Sequence, residues 1–249
     1  MMITDTAFFS EQGPREVNQD AICVSVEENR GIFAVADGMG GHFGGEVASS
    51  AIVNGIRSWW ESIDTASPGT DIDTVSEQCI GLLTNLNAEV FSCFSSKGQM
   101  GGSTVAVLII WDDRFTVLSA GDSRIYRVRG RKLEQLTTDD VWENLPEVKY
   151  KMNSEAAADD SRFGRLTEAL GSGERLKISR KSGILSERET FLLCSDGVYK
   201  YCGHSELEKI MCGGRVCGSA ERKKRMIRKC VVKGGGNDNY SAVIYCIRR

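Results

Sequence analysis

The clearest structural signal in this sequence is the stretch Gly31-Ile32-Phe33-Ala34-Val35-Ala36-Asp37-Gly38. Its apolar and β-branched residues predict a buried strand, and Asp37 places a carboxylate at the tip of that strand, at the rim of the core. Similar short runs, each bounded by Gly, Asp or Asn, recur along the chain at residues 21–26, 104–111, 115–120, 124–128, 190–194 and 240–247. The chain is therefore expected to contain many short strands.

Two segments have helical periodicity instead. Apolar residues recur every three or four positions from Ala48 to Ile63 and from Ile72 to Phe94, which predicts two helices joined as an antiparallel pair by the loop at residues 65–70. Further helices are predicted at residues 205–211, with Ser205 as N-cap, and at residues 219–233. Because strands and helices do not alternate one for one, the predicted fold class is α+β with packed antiparallel sheets.

The length of 249 residues fits one large domain, and we treat residues 1–249 as a single domain. Residues 137–165 are polar, acidic and poorly periodic, which predicts a flap within that domain. Residues 222–229 form a locally basic run. A solvated helix face explains this run, and a docking patch for an acidic partner is the alternative.

The composition excludes several classes of protein. Lys and Arg number 31 against 34 Asp and Glu, a net charge of −3, which argues against a dedicated nucleic-acid binder. No secretory pattern is found at the start, and no apolar run approaches the roughly 18 residues of a membrane span. The nine cysteines are odd in number and scattered, which predicts reduced thiols in a cytoplasmic protein.

Cysteine and histidine give weak catalytic signals. No cysteine is followed six positions later by arginine, which excludes a cysteine-dependent phosphatase. Zinc is an alternative to plain thiols near the end of the chain, although the spacings there match no C-x2-C pattern. The residues concerned are Cys202, His204, Cys212 and Cys217.

Acidic residues recur at the strand ends, namely Asp20, Asp37, Asp122, Asp196 and Asp238. Each one alone is consistent with a turn or a helix cap. If the strand ends converge, however, up to five negative charges crowd one place, which is destabilising unless cations neutralise them. Ligand sets made only of oxygen favour hard divalent ions such as Mg²⁺ or Mn²⁺. The sequence also supplies Arg15, a side chain suited to holding a phosphate through two hydrogen bonds.

Seven short motifs are spread over nearly the whole chain, from about residue 15 to residue 245. They are Arg15-x-x-Asn18-Gln19-Asp20, Ala36-Asp37-Gly38-Met39-Gly40-Gly41-His42, Gly101-Gly102-Ser103-Thr104, Ala120-Gly121-Asp122-Ser123-Arg124-Ile125-Tyr126, Leu166-Thr167-Glu168-Ala169-Leu170-Gly171, Leu193-Cys194-Ser195-Asp196-Gly197 and Asn237-Asp238-Asn239. In this order they resemble the PPM family of PP2C-type, metal-dependent serine/threonine protein phosphatases, in its bacterial form. One such motif is a weak signal, whereas seven in order are highly specific.

The resemblance implies a central antiparallel β-sandwich flanked by pairs of antiparallel helices, with a centre for two Mn²⁺ or Mg²⁺ ions at one end. It implies that Asp37 bridges the two ions and that Gly38 offers its carbonyl oxygen to one of them. Asp196 and Asp238 would complete the protein ligands of the second ion. Asp20 would hold metal-bound waters.

The resemblance also implies a third, weaker ion, a phosphate contact and a reaction. Asp122, with Asp196, corresponds to the ligands of the third ion, and Arg15 to the phosphate-binding arginine. A hydroxide bridging two ions would attack phosphoserine or phosphothreonine in line, without a phosphoenzyme. The implied partners are phosphoproteins and a Hanks-type serine/threonine kinase whose phosphorylation is reversed, with no nucleic acid and no membrane.

Two alternatives stay open, a non-catalytic regulatory module and a partner-switching phosphatase of an anti-sigma-antagonist protein. The chain departs from the family pattern at Met39, where some members have a histidine that is a candidate general acid. For His42, three residues later, a structural role and a catalytic one are both open. Glu168 stands where arginine is common, and residues 137–140 (Thr-Thr-Asp-Asp) replace the usual Thr-x-Asp-His opening of the flap.

Overall fold

The structure is a computed structural model that describes residues 3–40, 44–64, 69–151, 158–213 and 219–248. Its strands are β1 Ile3–Glu11, β2 Asp20–Val26, β3 Arg30–Gly40, β4 Gly101–Ser103, β5 Val105–Trp111, β6 Arg114–Ala120, β7 Arg124–Arg129, β8 Lys132–Gln135, β9 Ser179–Ile184, β10 Arg188–Cys194 and β11 Tyr240–Arg248. Its helices are α1 Gly44–Ser62, α2 Ile72–Ser95, α3 Pro146–Lys151, α4 Asp196–Cys212 and α5 Ala220–Lys233, with a 3-10 turn at Trp142–Asn144.

The strands form two antiparallel sheets that pack face to face. The first sheet has the order β1-β11-β10-β7-β8, and the second has the order β2-β3-β5-β6-β9, with β4 paired to the end of β3. Between the sheets, the rings of Phe33 and Tyr245 lie 4.4 Å apart and those of Phe115 and Phe191 lie 5.3 Å apart, centroid to centroid. The α+β fold with a central β-sandwich is confirmed.

Pairs of helices cover both outer faces of the sandwich. Ile52 of α1 packs in one buried cluster with Ile32 of β3, and Ile227 of α5 packs in another with Leu192 of β10. Successive residues of a strand point to opposite faces, so Ile32 faces the helices while Phe33 faces the other sheet. This burial on both faces explains why the β3 sequence is continuously apolar rather than alternating.

The sequence analysis missed four strands and the helical segment that precedes Gly203. The missed strands are β1, β4, β8 and β9. β1 is an edge strand in which Ala7 and Phe9 are buried while Phe8 is half exposed, so its apolar signal is weak. The helix predicted at residues 205–211 is present, as the part of α4 that follows Gly203. α4 begins nine residues earlier, at Asp196, and Gly203, with a φ of +67°, interrupts it just before the predicted segment.

The segment predicted as a flap is held to the sandwich near its start, and its two ends are hydrogen-bonded to each other. The backbone N–H of Gly121 donates to Asp140 Oδ2 at 3.1 Å, and the N–H of Trp142 donates to the carbonyl oxygen of Arg165 at 2.8 Å. Between these points, Trp142 and Val148 form a small buried cluster of their own. Residues 152–157 of this segment lie outside the described residues.

The basic run lies on α5, which begins where predicted, with the Ser219 hydroxyl accepting the N–H of Arg222 at 3.2 Å. Part of its charge is neutralised locally, because Arg228 pairs with Glu11 and Lys224 with Glu221. Docking of an acidic partner on this helix stays a prediction. Neither α5 nor any other helix in the described part of the chain has the length and apolar character needed to cross a membrane.

An ion pair at the far end of β10 from Cys194 should matter for stability. Arg127 Nε lies 2.8 Å from Glu189 Oε2, and the two side chains are 12% and 1% exposed. We expect Arg127→Met to lower the free energy of unfolding by about 3 kcal/mol, because it leaves a buried carboxylate without its counter-charge. Urea denaturation measures this loss.

The matched control is Arg129→Met, two residues further along the same strand, where the side chain is exposed. This change should stay within about 0.5 kcal/mol of the unsubstituted protein. Equal effects of the two substitutions would show that the Arg127–Glu189 pair does not stabilise the sandwich.

Candidate metal and phosphate site

Five acidic residues from different parts of the chain meet at one rim of the sandwich. Asp20 and Asp37 are directly paired across β2 and β3. Asp122 follows β6, Asp196 is the first residue of α4 just after β10, and Asp238 stands two residues before β11. The charge of Asp37 interacts unfavourably with Asp20, Asp122 and Asp196, and that of Asp20 with Asp196 and Asp238. The acidic residues expected to converge are therefore brought together.

A cleft of about 520 Å³ opens at this rim. The carboxylates of Asp37, Asp196 and Asp238 line it, together with Arg15 and the end of β3 from Gly38 to Gly40. Asp20 and Asp122 lie behind this surface and are only 8% and 6% exposed. No cysteine or histidine is among the described residues that line the cleft. The cleft is thus an acidic basin with one guanidinium at its edge.

Backbone hydrogen bonds fix the position of Asp37. Its N–H donates to the Thr104 hydroxyl at 3.1 Å, while its carbonyl oxygen accepts from the Thr104 N–H at 2.9 Å. The next residue has no space for a side chain, because a Cβ on Gly38 would lie 2.1 Å from the carbonyl oxygen of Gly45 in α1. Glycine therefore lets the end of β3 pass directly beneath the start of α1, with Asp37 turned to the cleft.

Asp20 is buried with half of its hydrogen-bonding capacity unused. The Ser195 hydroxyl donates to Asp20 Oδ2 at 2.7 Å, whereas the buried Oδ1 has no hydrogen-bond partner among the described residues. An unsatisfied buried carboxylate oxygen is costly unless water or an ion contacts it. The orphaned oxygen indicates that this rim is built around a polar ligand.

Arg15 and Asp238 face each other across the edge of the cleft. The guanidinium donates to Asp238 Oδ2 at 2.9 Å and to the carbonyl oxygen of Asn237 at 3.2 Å, and its side chain is 54% exposed. Asn239 joins the segment before β11 to the segment between β1 and β2. Its Oδ1 accepts the N–H of Gln19 at 2.9 Å, and its Nδ2 donates to the carbonyl oxygen of Val17 at 2.9 Å. The guanidinium is therefore held beside the carboxylates but remains open to the cleft.

The other side of the rim carries Asp196 and Asp122. Lys200 Nζ, one helical turn after Asp196, lies 2.5 Å from Asp196 Oδ2. The Tyr199 hydroxyl donates to Asp122 Oδ2 at 3.1 Å, and the Arg124 guanidinium lies over the Tyr199 ring at 3.5 Å from its centroid. α4 thus presents a carboxylate, a phenol and an ammonium to the same corner in its first two turns.

The crowding changes the protonation of the acids. The pKa of Asp20 is raised to about 7, mainly by burial and further by the charges of Asp196 and Asp238. The hydrogen bond from Ser195 acts in the opposite direction and lowers it. Burial and the neighbouring carboxylates raise the pKa of Asp37 well above its usual value, and burial and Asp196 raise the pKa of Asp122 to about 6. Such shifts indicate negative charge that the protein's own cations do not fully neutralise.

The carboxylate oxygens at this rim are the type of ligand that hard divalent cations prefer, but the side chains are not oriented to bind an ion. Among the described residues, no three acidic, histidine or cysteine side chains meet at distances that would hold one ion. The carboxylates contact protein donors instead, Asp196 contacting Lys200 and Asp238 contacting Arg15. Binding an ion would therefore require these two pairs to open. Cys202, His204 and Cys212 form no zinc cluster in the described part of the chain, while Cys217 and His42 lie outside the described residues.

Sequence reasoning missed the residues that hold the acids in place. Ser195, Thr104 and Asn239 all lie within the motifs quoted above, but each acts on a residue far away in the sequence. Lys200 carried no signal beyond its place four residues after Asp196, a spacing at which helical side chains meet. Ser195 and Asn239 each stand directly beside a strand-end aspartate, a local signal that could have found them, whereas Thr104 has no such neighbour.

The raised pKa values predict how the metal-free protein responds to pH. A carboxyl whose pKa is higher in the folded than in the unfolded state stabilises the fold at low pH and loses that contribution as pH rises through the folded pKa. For Asp20 this window runs from about 4 to about 7. Unfolding of EDTA-treated protein should therefore become easier by about 2 kcal/mol between pH 5.5 and pH 8.

The control is Asp20→Asn, which removes the titrating group and should flatten this slope. Added Mn²⁺ should raise the melting temperature more at pH 8 than at pH 5.5, because protons compete with the cation for the carboxylates. A metal-free stability that rises steadily from pH 5.5 to pH 8 would contradict the arrangement of charges described here.

Comparison with known proteins places the chain in a family. The model described as "Protein phosphatase 2C" matches residues 11–212. The serine/threonine phosphatase stp of Listeria monocytogenes is 27% identical over 220 residues, which cover 88% of this chain and 85% of that protein. A solved structure described as "PppA, a key regulatory component of T6SS in Pseudomonas aeruginosa" is 28% identical with a TM-score of 0.81, covering 98% of this chain and 99% of its own.

A second solved structure shares the fold at lower identity. The catalytic domain of the serine/threonine protein phosphatase PstP, in complex with two manganese ions, has a TM-score of 0.80 at 22% identity, with both chains covered completely. The family model spans most of the present chain, including four of the five converging acids. The chain therefore belongs to the protein phosphatase 2C family.

Proposed function

We propose that this chain is a metal-dependent protein phosphatase that hydrolyses phosphoserine and phosphothreonine at the acidic cleft. The observation that carries the proposal is the convergence of five carboxylates with Arg15 at one rim of the sandwich. A phosphate ester bound there would meet a guanidinium on one side and the acids on the other. Membership of the protein phosphatase 2C family supports the same chemistry.

The acids would hold Mn²⁺ or Mg²⁺, two ions and a third at lower affinity. Asp37 would contribute its carboxylate to both ions and Gly38 its carbonyl oxygen to one of them, and Asp196 and Asp238 would complete the protein ligands of the second. Asp122 would hold the third ion together with Asp196, and the buried Asp20 would act through water. Bound divalent cations supply a nucleophilic water at neutral pH and stabilise the charge on the phosphoryl oxygens.

The protein's own groups explain the rest of the reaction. The described residues that line the cleft include no cysteine or histidine that could attack phosphorus. In the proposed reaction a water molecule is the nucleophile, and no phosphoenzyme forms. Arg15, exposed at the cleft edge, would exchange its contact with Asp238 for the phosphoryl oxygens and orient the ester. Asp20 Oδ1, which has no partner in the part of the chain that the structure describes, would accept a hydrogen bond from a water in the cleft.

The wider role follows from this substrate class. A phosphoprotein phosphatase requires a kinase that forms its substrate, and we propose a serine/threonine kinase as the opposing enzyme. A cytoplasmic location is proposed because the described cysteines form no disulfide.

Loss of the central carboxylate tests the proposed catalysis. Asp37→Asn should lower Mn²⁺-dependent turnover of p-nitrophenyl phosphate and of a phosphothreonine peptide by about 10³-fold, because it removes a charged ligand worth several kcal/mol. The metal-free variant should melt no lower than the unsubstituted protein, since a repelling charge is gone. The matched control is Asp113→Asn, an exposed aspartate in the β5–β6 hairpin at the other end of the sandwich.

Full activity of Asp37→Asn would refute the placement of the catalytic centre. If the unsubstituted chain binds Mn²⁺ but hydrolyses neither substrate, the chain is instead a non-catalytic module.

Loss of the guanidinium tests the proposed phosphate contact. Arg15→Met should lower kcat/KM for a phosphothreonine peptide by about 10- to 100-fold, the value of a hydrogen bond to a charged group, largely through KM. Apparent Mn²⁺ affinity should not weaken, because Asp238 is released from its ion pair. Arg188→Met, exposed at the opposite end of β10, serves as the control, and equal kinetics in the two variants would remove Arg15 from the mechanism.

A further inference from the structure

A second cavity, of about 570 Å³, adjoins the acidic cleft. It lies between the last turns of α2, strand β4 and residues 164–172, and much of its lining is apolar. Phe91 and Phe94 of α2, Met100 and Leu166 contribute to its walls. Its volume is within the range of about 300–1,000 Å³ that is usual for ligand pockets. The proposed catalysis does not use this cavity.

The cavity and the acidic cleft are physically continuous. Met39 and Gly40 line both of them, because β3 runs from Asp37 in the cleft to Gly40 at the cavity wall. At the rise of a strand, the cavity begins about 7–10 Å from Asp37. An extended peptide covers that distance in two or three residues, so a peptide with its phosphate in the cleft would bring a neighbouring side chain to the cavity.

The walls of the cavity are fixed by hydrogen bonds. Ser103 in β4 and Leu170 exchange two backbone hydrogen bonds of 2.9 Å, which attach residues 164–172 to the end of the second sheet. Asn87 of α2 accepts the N–H of Gly171 at 2.8 Å and donates to the carbonyl oxygen of Gly173 at 3.0 Å. The cavity is therefore formed without a ligand, and binding need not order it.

Glycines allow the walls of the cavity to pack closely. Gly101 leaves room for the Phe94 ring, which would lie 2.8 Å from a Cβ at that position. Gly171, with a φ of +80°, brings its backbone against Val90, whose Cγ1 would be 2.3 Å from a Cβ. At the mouth, Met100 is 91% exposed, an unusual position for a large apolar side chain. Charged groups among the described lining residues are limited to Arg165 and Glu168.

We propose that this cavity is a substrate subsite that binds an apolar side chain close to the phosphorylated residue of a phosphoprotein. The inference rests on the proposed function, which places the phosphate in the adjoining cleft. It commits to a peptide because a bound chain can reach the cavity and the cleft at once. The subsite would make sequences with Leu or Phe two or three residues from the phosphoresidue better substrates than polar ones.

A set of phosphothreonine peptides tests the subsite. In each peptide one flanking position carries leucine and all the others carry serine. Across the set, the leucine moves through every position from three before to three after the phosphothreonine. We expect leucine at one position, or at two adjacent ones, to raise kcat/KM about 10-fold, the discrimination that an apolar pocket provides for one side chain. p-Nitrophenyl phosphate, which has no flanking residue, measures catalysis separately.

The matched variants are Ser95→Trp and Ser92→Trp, both exposed positions of α2, of which only residue 95 lines the cavity. Ser95→Trp should fill the cavity and abolish the preference for leucine, whereas Ser92→Trp should keep it. Met100→Glu, with a charge at the mouth, should reduce the preference as well. All three variants should hydrolyse p-nitrophenyl phosphate at the unsubstituted rate.

Binding of non-hydrolysable phosphonate peptides, followed by fluorescence anisotropy, separates this proposal from the proposed function. Tighter binding of the leucine peptide that is lost in Ser95→Trp supports the subsite even if turnover is absent. Absence of a preference at every position, or a preference that persists in Ser95→Trp, overturns the subsite. Activity on p-nitrophenyl phosphate in that case would leave the proposed function intact.

Discussion

Repulsion among carboxylates is the constraint on which the rest of this structure depends. Asp20, Asp37, Asp122, Asp196 and Asp238 come from five separate segments and share one rim, where burial and mutual charge raise the pKa of three of them. Such an arrangement costs free energy that a fold would not retain without a compensating ligand. In the described structure Lys200 and Arg15 supply part of the missing positive charge. Divalent cations would supply the remainder, and with it the chemistry of phosphate ester hydrolysis.

The sandwich is what makes the convergence possible. Its central strands are covered by another sheet on one face and by helices on the other, so most of their interior positions are apolar and the acidic groups collect at the ends. The acidic rim and the apolar cavity are continuous because the end of β3 lines both of them. In the proposed phosphatase, this one strand would place the reacting phosphate and an apolar flanking residue at a spacing set by backbone geometry.

Much of this could be predicted from the sequence because burial on two faces leaves a strong trace. The β3 run and the aspartate at its tip identified a core strand and the central carboxylate, and the helical periodicity of residues 48–63 and 72–94 identified α1 and α2. Edge strand β1 was missed because only alternate residues are buried. Ser195, Asn239 and Lys200 were missed because their importance lies in contacts with distant residues or in orientations that sequence spacing does not specify. The part of α4 before Gly203 was missed because Asp196 ends an apolar run and begins a helix at once.

The most direct test is the anomalous scattering of manganese in crystals of the protein soaked with Mn²⁺. The account predicts at least two anomalous peaks among Asp37, Asp196 and Asp238, with the Lys200–Asp196 and Arg15–Asp238 pairs opened to admit them. Crystals that show both ion pairs intact and no manganese at this rim would contradict the claim that the five carboxylates are gathered to bind cations.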